Sequence, residues 1–334
     1  MGVKDLHKFL NNKVGNFETG PIRSLIDKFN IKVLVIDGSL YLHKFFHVTY
    51  SRDDAIHKFI TFFSKLSMQI LDTKLIFIFD GPNPLNIKAD TIKNRRIQRD
   101  KIRSDLKKLD DEIRSETDDD DVDLININTT DPLSTCDMST EILSKIEDYQ
   151  KKVKQLHSPT MADVYHIAKL LMIDGYETYI SDSDGDLLMA HFVKKNGNMR
   201  TAVLSDDGDF LPLGCRYVLK SVHKYIYKMY DLEYILRSLN LNMTQFITLC
   251  VFSGTDFSVR IPKVGIETIY KLLKKNGGLS VKMWGMCKGS IQTFQMFRAK
   301  VVDFNNPTLY VLNIKNQKQK KEERVDYTKL INQH

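Results

Sequence analysis

Residues 31–37 read IKVLVID, and residues 74–80 read KLIFIFD. Both are short apolar runs rich in β-branched and aromatic residues, without the 3.6-residue spacing of a surface helix. Continuous apolarity of this length fits strands covered on both faces, as in a parallel sheet. Each run ends in Asp followed by Gly, at Asp37-Gly38 and Asp80-Gly81. The theme returns in RTAVLSDDGD at 200–209 and, more weakly, in ETYISDSDGD at 177–186. Helical patterns lie between, over 55–71 with the apolar core FITFFSKL and over 161–173. Alternating β and α segments predict an α/β fold built on a parallel sheet. Ligand sites of open parallel sheets lie just beyond the carboxyl ends of the strands. A single Asp-Gly is an ordinary turn. The same arrangement at four strand ends points to a shared site.

The aspartate clusters admit several chemistries. Asp182, Asp184 and Asp186 take the first, third and fifth places of an EF-hand calcium loop, but its glycine falls at the fourth place (Gly185) instead of the sixth. The bidentate Glu of the twelfth place is Val193, so the calcium loop is excluded. Ser183-x-x-Asp186 also reads as a capping box opening the helix DLLMAHFVKK, a role compatible with metal binding by the same carboxylate. Collecting the strand-end and loop carboxylates gives Asp37, Asp80, Asp184, Asp186, Asp207, Asp209 and Asp256. Two like charges about 4 Å apart repel by roughly 4 kcal/mol at an effective dielectric of about 20, so such a cluster requires cations. Oxygen-only ligands select Mg²⁺, with Mn²⁺ as a substitute, over zinc. Two such ions suit hydrolysis of a phosphodiester.

Composition sets the frame for that site. The chain has 334 residues, 42% of them hydrophobic, enough for a substantial core. No run of about 18 apolar residues occurs, which argues against a membrane span. The start MGVKDLHKFL lacks a signal-peptide core, and Leu6 breaks the myristoylation pattern. The four cysteines are dispersed without a CxxC pair, which suggests neither zinc nor disulfides and fits an intracellular compartment. The net charge of +7 favours a polyanionic partner. Residues 84–108 hold nine Lys/Arg against three Asp, a basic segment that would hold phosphates beside the acidic site. Lys88 and Arg95, seven residues apart, share a helix face that continues through Arg99 and Arg103.

The expected organisation is a nuclease region over 1–108, a partly flexible insertion over 109–158 and a second nuclease region over 159–300, followed by a polar basic tail over 301–334. The insertion carries the acidic run SETDDDDVD, read as solvated, and a heptad-like EILSKIEDYQKKVKQL. Within the second region, a helix from Met243, a loop SGTDFSVRIPKVG and a helix ETIYKLLKKNGG (about 243–275) form either a phosphate-backbone clamp or an ordinary αα-hairpin.

MGVKDL, VLVIDGSLYLHKF, FIFDGPNPLNIKADTIKNRR, SDSDGD, SDDGDFLPLG and FSGTDFSVRIPKVG, in this order, resemble the motifs of the flap endonuclease/XPG family of structure-specific 5′ nucleases. The resemblance covers most of residues 1–275. It implies a PIN-like parallel α/β core, a helical arch, and a helix–two-turn–helix that holds duplex DNA through K⁺. It assigns all seven aspartates to two Mg²⁺ ions, and Lys88 and Arg95 to the scissile phosphate. Gly2 matches an N-terminal glycine near the active site, and His43 a residue that stacks on the substrate. YLHKF is closer to the exonuclease branch. Arg99, Arg103, Lys263 and Gly265 would contact nucleic acid.

Departures are visible. Asp184-x-Asp186 stands where the family has Glu-x-Glu, and Lys263-Val264-Gly265 where it has Gly-hydrophobic-Gly at the potassium loop. The insertion before Ser158 is longer than a typical arch, and no sliding-clamp peptide is visible. The implied activity is Mg²⁺-dependent cleavage of DNA at 5′ flaps, ends, gaps, nicks or junctions, in the nucleus or another site of replication. A 5′→3′ exonuclease, a Holliday-junction resolvase, an RNA 5′ exonuclease and an inactive branched-nucleic-acid scaffold are the alternatives.

Overall fold

The computed structural model describes residues 2–83, 85, 88–117, 123–125, 127, 139–223, 225–287 and 289–298. The acidic run at 118–122 and the tail from 299 onward lie outside the described residues. The strands are β1 (Thr19–Pro21), β2 (Val33–Asp37), β3 (Lys74–Phe79), β4 (Glu177–Ile180), β5 (Thr201–Leu204), β6 (Tyr217–His223) and β7 (Ile226–Asp231). Among the described residues they form one sheet in the order β1-β7-β6-β5-β2-β3-β4. The run from β6 to β4 is parallel throughout, with Val33 opposite both Lys74 of β3 and Thr201 of β5. The expected parallel core is present, but the sheet is mixed. β7 pairs antiparallel with β6, and β1 antiparallel with β7.

The helices are α1 (Leu6–Lys13), α2 (Ile22–Lys28), α3 (Gly38–Phe46), α4 (Arg52–Gln69), α5 (Ala89–Thr117), α6 (Thr140–Leu156), α7 (Met161–Ile173), α8 (Gly185–Lys195), α9 (Leu232–Leu239), α10 (Met243–Ser253), α11 (Ile266–Asn276), α12 (Val281–Met286) and α13 (Ser290–Arg298). Leu34, Val35 and Ile36 are fully buried because helices cover both sheet faces. Alternation sorts the strands into two apolar layers. Val35, Ile76, Ile78 and Val203 join Phe9, Met189, Phe246 and Ile269 on one face. Leu34, Ile36, Phe77 and Leu204 join Leu25, Phe46, Phe59 and Ile167 on the other. Each fully buried aromatic or aliphatic side chain of this kind contributes about 1.5–3 kcal/mol.

The insertion is more helical than expected. α5 continues unbroken past residue 108 to Thr117, so the expected boundary at 108/109 falls inside a helix. It packs along α6, with Ile113, Leu124 and Ile146 as a small separate core. The Gln150 amide donates to the carbonyls of Leu124 and Ile127, both at 2.9 Å, tying these two residues to α6. The C-terminal leg of this hairpin is fixed to the body. His157 Nδ1 lies 3.1 Å from the Phe46 carbonyl and 3.0 Å from that of Thr49, while Arg52 forks onto Asp163 at the start of α7. No described helix is long and apolar enough to cross a membrane.

Candidate metal and phosphate site

The strand order turns back on itself between β2 and β5: the chain proceeds from β2 through β3 to β4, then returns to β5 on the other side. Such a switch point opens a crevice at the carboxyl ends of the strands. Asp37 is the last residue of β2 and caps α3, accepting from the Leu40 N–H at 2.9 Å. Its second oxygen accepts from the Ser205 hydroxyl at 2.7 Å, which ties β2 to β5. Asp80 follows β3. Its N–H donates to Ser39 Oγ at 2.7 Å, and its carboxylate accepts from the Gly185 N–H at 2.8 Å, joining β3 to the loop after β4. A Cβ on Gly81 would lie 1.9 Å from the Ser181 carbonyl, so this close approach requires glycine.

The loop after β4 places Asp184 as the N-cap of α8, accepting from the Asp186 N–H at 3.0 Å. The cap is Asp184, not the expected Ser183, because the helix starts at Gly185. Asp207 and Asp209 follow β5. The Asp207 N–H donates to Ser205 Oγ at 3.0 Å, and the Asp209 N–H to Asp207 Oδ1 at 2.8 Å. Gly2 sits against this pair with φ of +76°, and a Cβ there would lie 1.8 Å from Asp207 Oδ1. Asp256, in the loop after α10, pairs with Arg95 at 2.7 Å, and the Thr91 hydroxyl donates to the Asp256 carbonyl at 2.9 Å. Lys88 completes the arrangement. Its ammonium is ion-paired with Asp184, lies 3.5 Å from Asp186, and stands 4.6 Å above the Phe257 ring.

Electrostatics record how tightly these groups are gathered. Burial, then the charges of Asp80 and Asp207, push the Asp37 carboxyl up to about 7. Burial and Asp184 hold Asp186 well above the carboxylate range, and burial, Asp207 and Asp256 do the same for Asp209. Burial and Asp256 also raise Asp207. Burial works against the Lys88 charge, but Asp186 and Asp184 more than offset it and raise its pKa. Asp209 is 1% exposed, and neither of its carboxylate oxygens has a hydrogen-bond partner. A buried, unpaired carboxylate among like charges calls for a cation, and an all-oxygen donor set suits Mg²⁺ or Mn²⁺. Among the described residues no three His, Cys, Asp or Glu side chains close on one point at ligand distance. The Lys88 ammonium lies between two of them instead.

The remaining expected residues separate. On α3, His43 faces α5: burial, His47, Arg99 and Arg95 together lower its pKa to about 4. Arg103 pairs instead with Asp100 of its own helix at 2.8 Å, apart from the carboxylates that Lys88 and Arg95 meet. Lys263 and Gly265 lie apart, between α10 and α11. Gly265 is the N-cap of α11 without a side-chain bond, and Lys263 holds the left-handed φ of +62°. Arg260 braces that loop, donating to the Val264 carbonyl at 3.0 Å and pairing with Asp5 at 3.1 Å. Sequence reasoning missed Ser39, Thr91, Ser205 and Phe257. Ser205 had a signal: Ser181 and Ser205 both open a strand-end Ser-Asp, and each accepts the N–H two residues on.

Residues 1–102 match the XPG N-terminal domain and residues 175–256 the XPG I-region, together more than half of the chain. The chain is 26% identical over 304 residues to flap endonuclease 1 of Cryptosporidium parvum (strain Iowa II), covering 82% of this chain and 54% of that protein. It spans about half the length of the curated relatives that it matches first. In structure it is similar to the catalytic core of Rad2 in complex with DNA substrate, at a TM-score of 0.55 and 18% identity, over 85% of this chain and 71% of that one. Flap endonuclease-1 from Methanococcus jannaschii matches at 0.51 and 17% identity, over 89% of this chain and 84% of that one. At these identities the structural likeness is one of fold.

Proposed function

Because this chain belongs to the XPG family of 5′ nucleases, we propose that it is a divalent-metal-dependent hydrolase of DNA phosphodiesters, acting at 5′ flaps, gaps, nicks or junctions. One observation carries this reading: buried Asp37, Asp184, Asp207 and Asp209, from the ends of β2, β4 and β5, gather beside the exposed Asp80 of β3, and Lys88 and Arg95 at the start of the α5 hairpin pair with Asp184 and Asp256 at the edge of this group. Asp37, Asp80, Asp184, Asp186, Asp207, Asp209 and Asp256 would hold two ions. Bound there, such ions would polarise the scissile phosphate and lower the pKa of a water nucleophile. Lys88 and Arg95 would turn their charges onto the phosphate, and His43, beside Arg95 and Arg99, would present its ring to the adjacent nucleotide. Gly2 would let the N-terminal segment lie against Asp207 without displacing it. The loop with Lys263 and Gly265 would hold a duplex phosphate at the start of α11, with K⁺ as accompanying cation.

Single-turnover assays with 5′-labelled flap, nicked, gapped and four-way-junction DNA and with single-stranded RNA test the proposal. Cleavage of at least one branched DNA in Mg²⁺, lost in EDTA, is expected. Binding without cleavage of any DNA in Mg²⁺ or Mn²⁺ would favour the scaffold alternative, and cleavage of RNA alone the RNA exonuclease.

A further inference from the structure

The contacts of α5 with the carboxylates bear on more than phosphate binding. None of residues 88–100 is buried, so the N-terminal leg of the hairpin is attached by polar contacts instead of by a core. Three of these converge on the aspartate cluster: Lys88 on Asp184 and Asp186, Thr91 on the Asp256 carbonyl and Arg95 on the Asp256 carboxylate. The C-terminal leg is attached elsewhere, through His157 and Arg52, to groups outside that cluster. We infer that Lys88 and Arg95 are built-in counter-ions that compete with divalent metal for Asp184, Asp186 and Asp256, so that metal binding undocks the N-terminal leg of the hairpin while its C-terminal leg stays fixed.

This deepens the proposed function and rests on the reading that these aspartates hold divalent ions. The same carboxylate oxygens cannot fully satisfy an ammonium and a dication together, and the competition is reciprocal: what Lys88 contributes to docking α5 it withdraws from metal affinity. Released, Lys88 and Arg95 would be free to meet a phosphate. One arrangement would thus couple metal loading to exposure of the phosphate-binding cations.

The test uses the full chain and Mg²⁺ alone. Calorimetric titration should show Lys88→Met binding Mg²⁺ about tenfold more tightly than the wild type, within the usual range of site-to-site coupling, while Lys88→Arg stays close to the wild type. Saturating Mg²⁺ should accelerate amide hydrogen exchange over residues 89–98 of the wild type and leave 157–163 unchanged. In Lys88→Met the 89–98 amides should exchange faster than in the wild type before Mg²⁺ is added and respond to it less, since Arg95 and Thr91 still hold Asp256. Unchanged or weaker Mg²⁺ affinity in Lys88→Met would overturn the inference, as would exchange over 89–98 in the wild type that Mg²⁺ does not alter. Absence of Mg²⁺ binding by the wild type would sink the underlying metal reading as well, an outcome distinct from binding without competition.

Discussion

Asp209 offers the sharpest separation of stability from function. Its carboxylate is buried, has no hydrogen-bond partner, and faces Asp207 and Asp256. A like charge on the order of 6 Å away at an effective dielectric of about 20 repels by about 3 kcal/mol. Two such neighbours, partly offset by Lys88 and relieved by protonation of the group itself, leave a net destabilisation of about 1–3 kcal/mol. Asp209→Asn removes the charge and keeps the shape. Without metal the variant should therefore be more stable than the wild type, by roughly 1–2 °C in melting temperature per kcal/mol for a chain of this length. The pH dependence has a definite sign. A carboxyl whose folded pKa is raised binds protons more readily folded than unfolded, so wild-type stability falls as pH rises from the unfolded value towards the folded one. The advantage of Asp209→Asn should be small near pH 4 and larger near pH 8. Adding Mg²⁺ should reverse the order, stabilising the wild type by mass action and the variant much less. Melting curves at both pH values, in EDTA and in Mg²⁺, decide the matter. A variant less stable than the wild type in EDTA, or equally stabilised by Mg²⁺, would refute the reasoning.

Lys88→Ala should slow single-turnover cleavage about a hundredfold with little change in DNA affinity, the effect of losing one donor to a developing oxyanion, whereas Arg103→Ala should mainly weaken binding and flatten its salt dependence. Equal behaviour of the two would reduce the segment to a basic surface. Lys263→Gly should stabilise the fold by about 1 kcal/mol, since a left-handed lysine costs about 1–2 kcal/mol and glycine returns part of that as unfolded-chain entropy, yet it should weaken duplex binding. Lower stability, or unchanged binding at every salt concentration, would count against that loop as a phosphate contact. Arg52→Ala should destabilise by about 1–2 kcal/mol at pH 7, a figure discounted because Arg52 is half exposed. Burial alone would raise the Asp163 pKa, but Arg52 and the Thr160 N–H and hydroxyl lower it overall, so the contribution is present above the unfolded carboxyl value and lost as pH falls through the folded one. Urea titrations at pH 7 and pH 3 should show the gap between wild type and variant closing at the lower pH.

The parallel core was legible because strands covered on both faces leave uninterrupted apolar runs, and IKVLVID and KLIFIFD are such runs. The hairpin of β6 and β7 was not, because the polar residues Lys220, Ser221, His223 and Lys228, half-buried or exposed, interrupt the apolar run. The length of α5 was hidden for a related reason. Only Ile113 of its 29 residues is buried, so no apolar stripe marks the helix. The aspartates could be collected from their recurrence after strands, yet which one caps α8 could not, since SDSDGD offers several caps in succession. That Lys88 and Arg95 turn inward onto carboxylates while Arg103 turns along its own helix depends on where the hairpin docks. Periodicity places these residues on one face and cannot distinguish them.

The most direct test of the central claim is the single-turnover cleavage of a labelled 5′-flap duplex in Mg²⁺ by Asp207→Ala. Its circular dichroism and DNA affinity should be measured beside the rate, because Asp207 lies within a hydrogen-bonded strand-end loop. If the strand-end aspartates hold the catalytic ions, cleavage is abolished while fold and binding persist. Near wild-type turnover by Asp207→Ala would contradict the assignment.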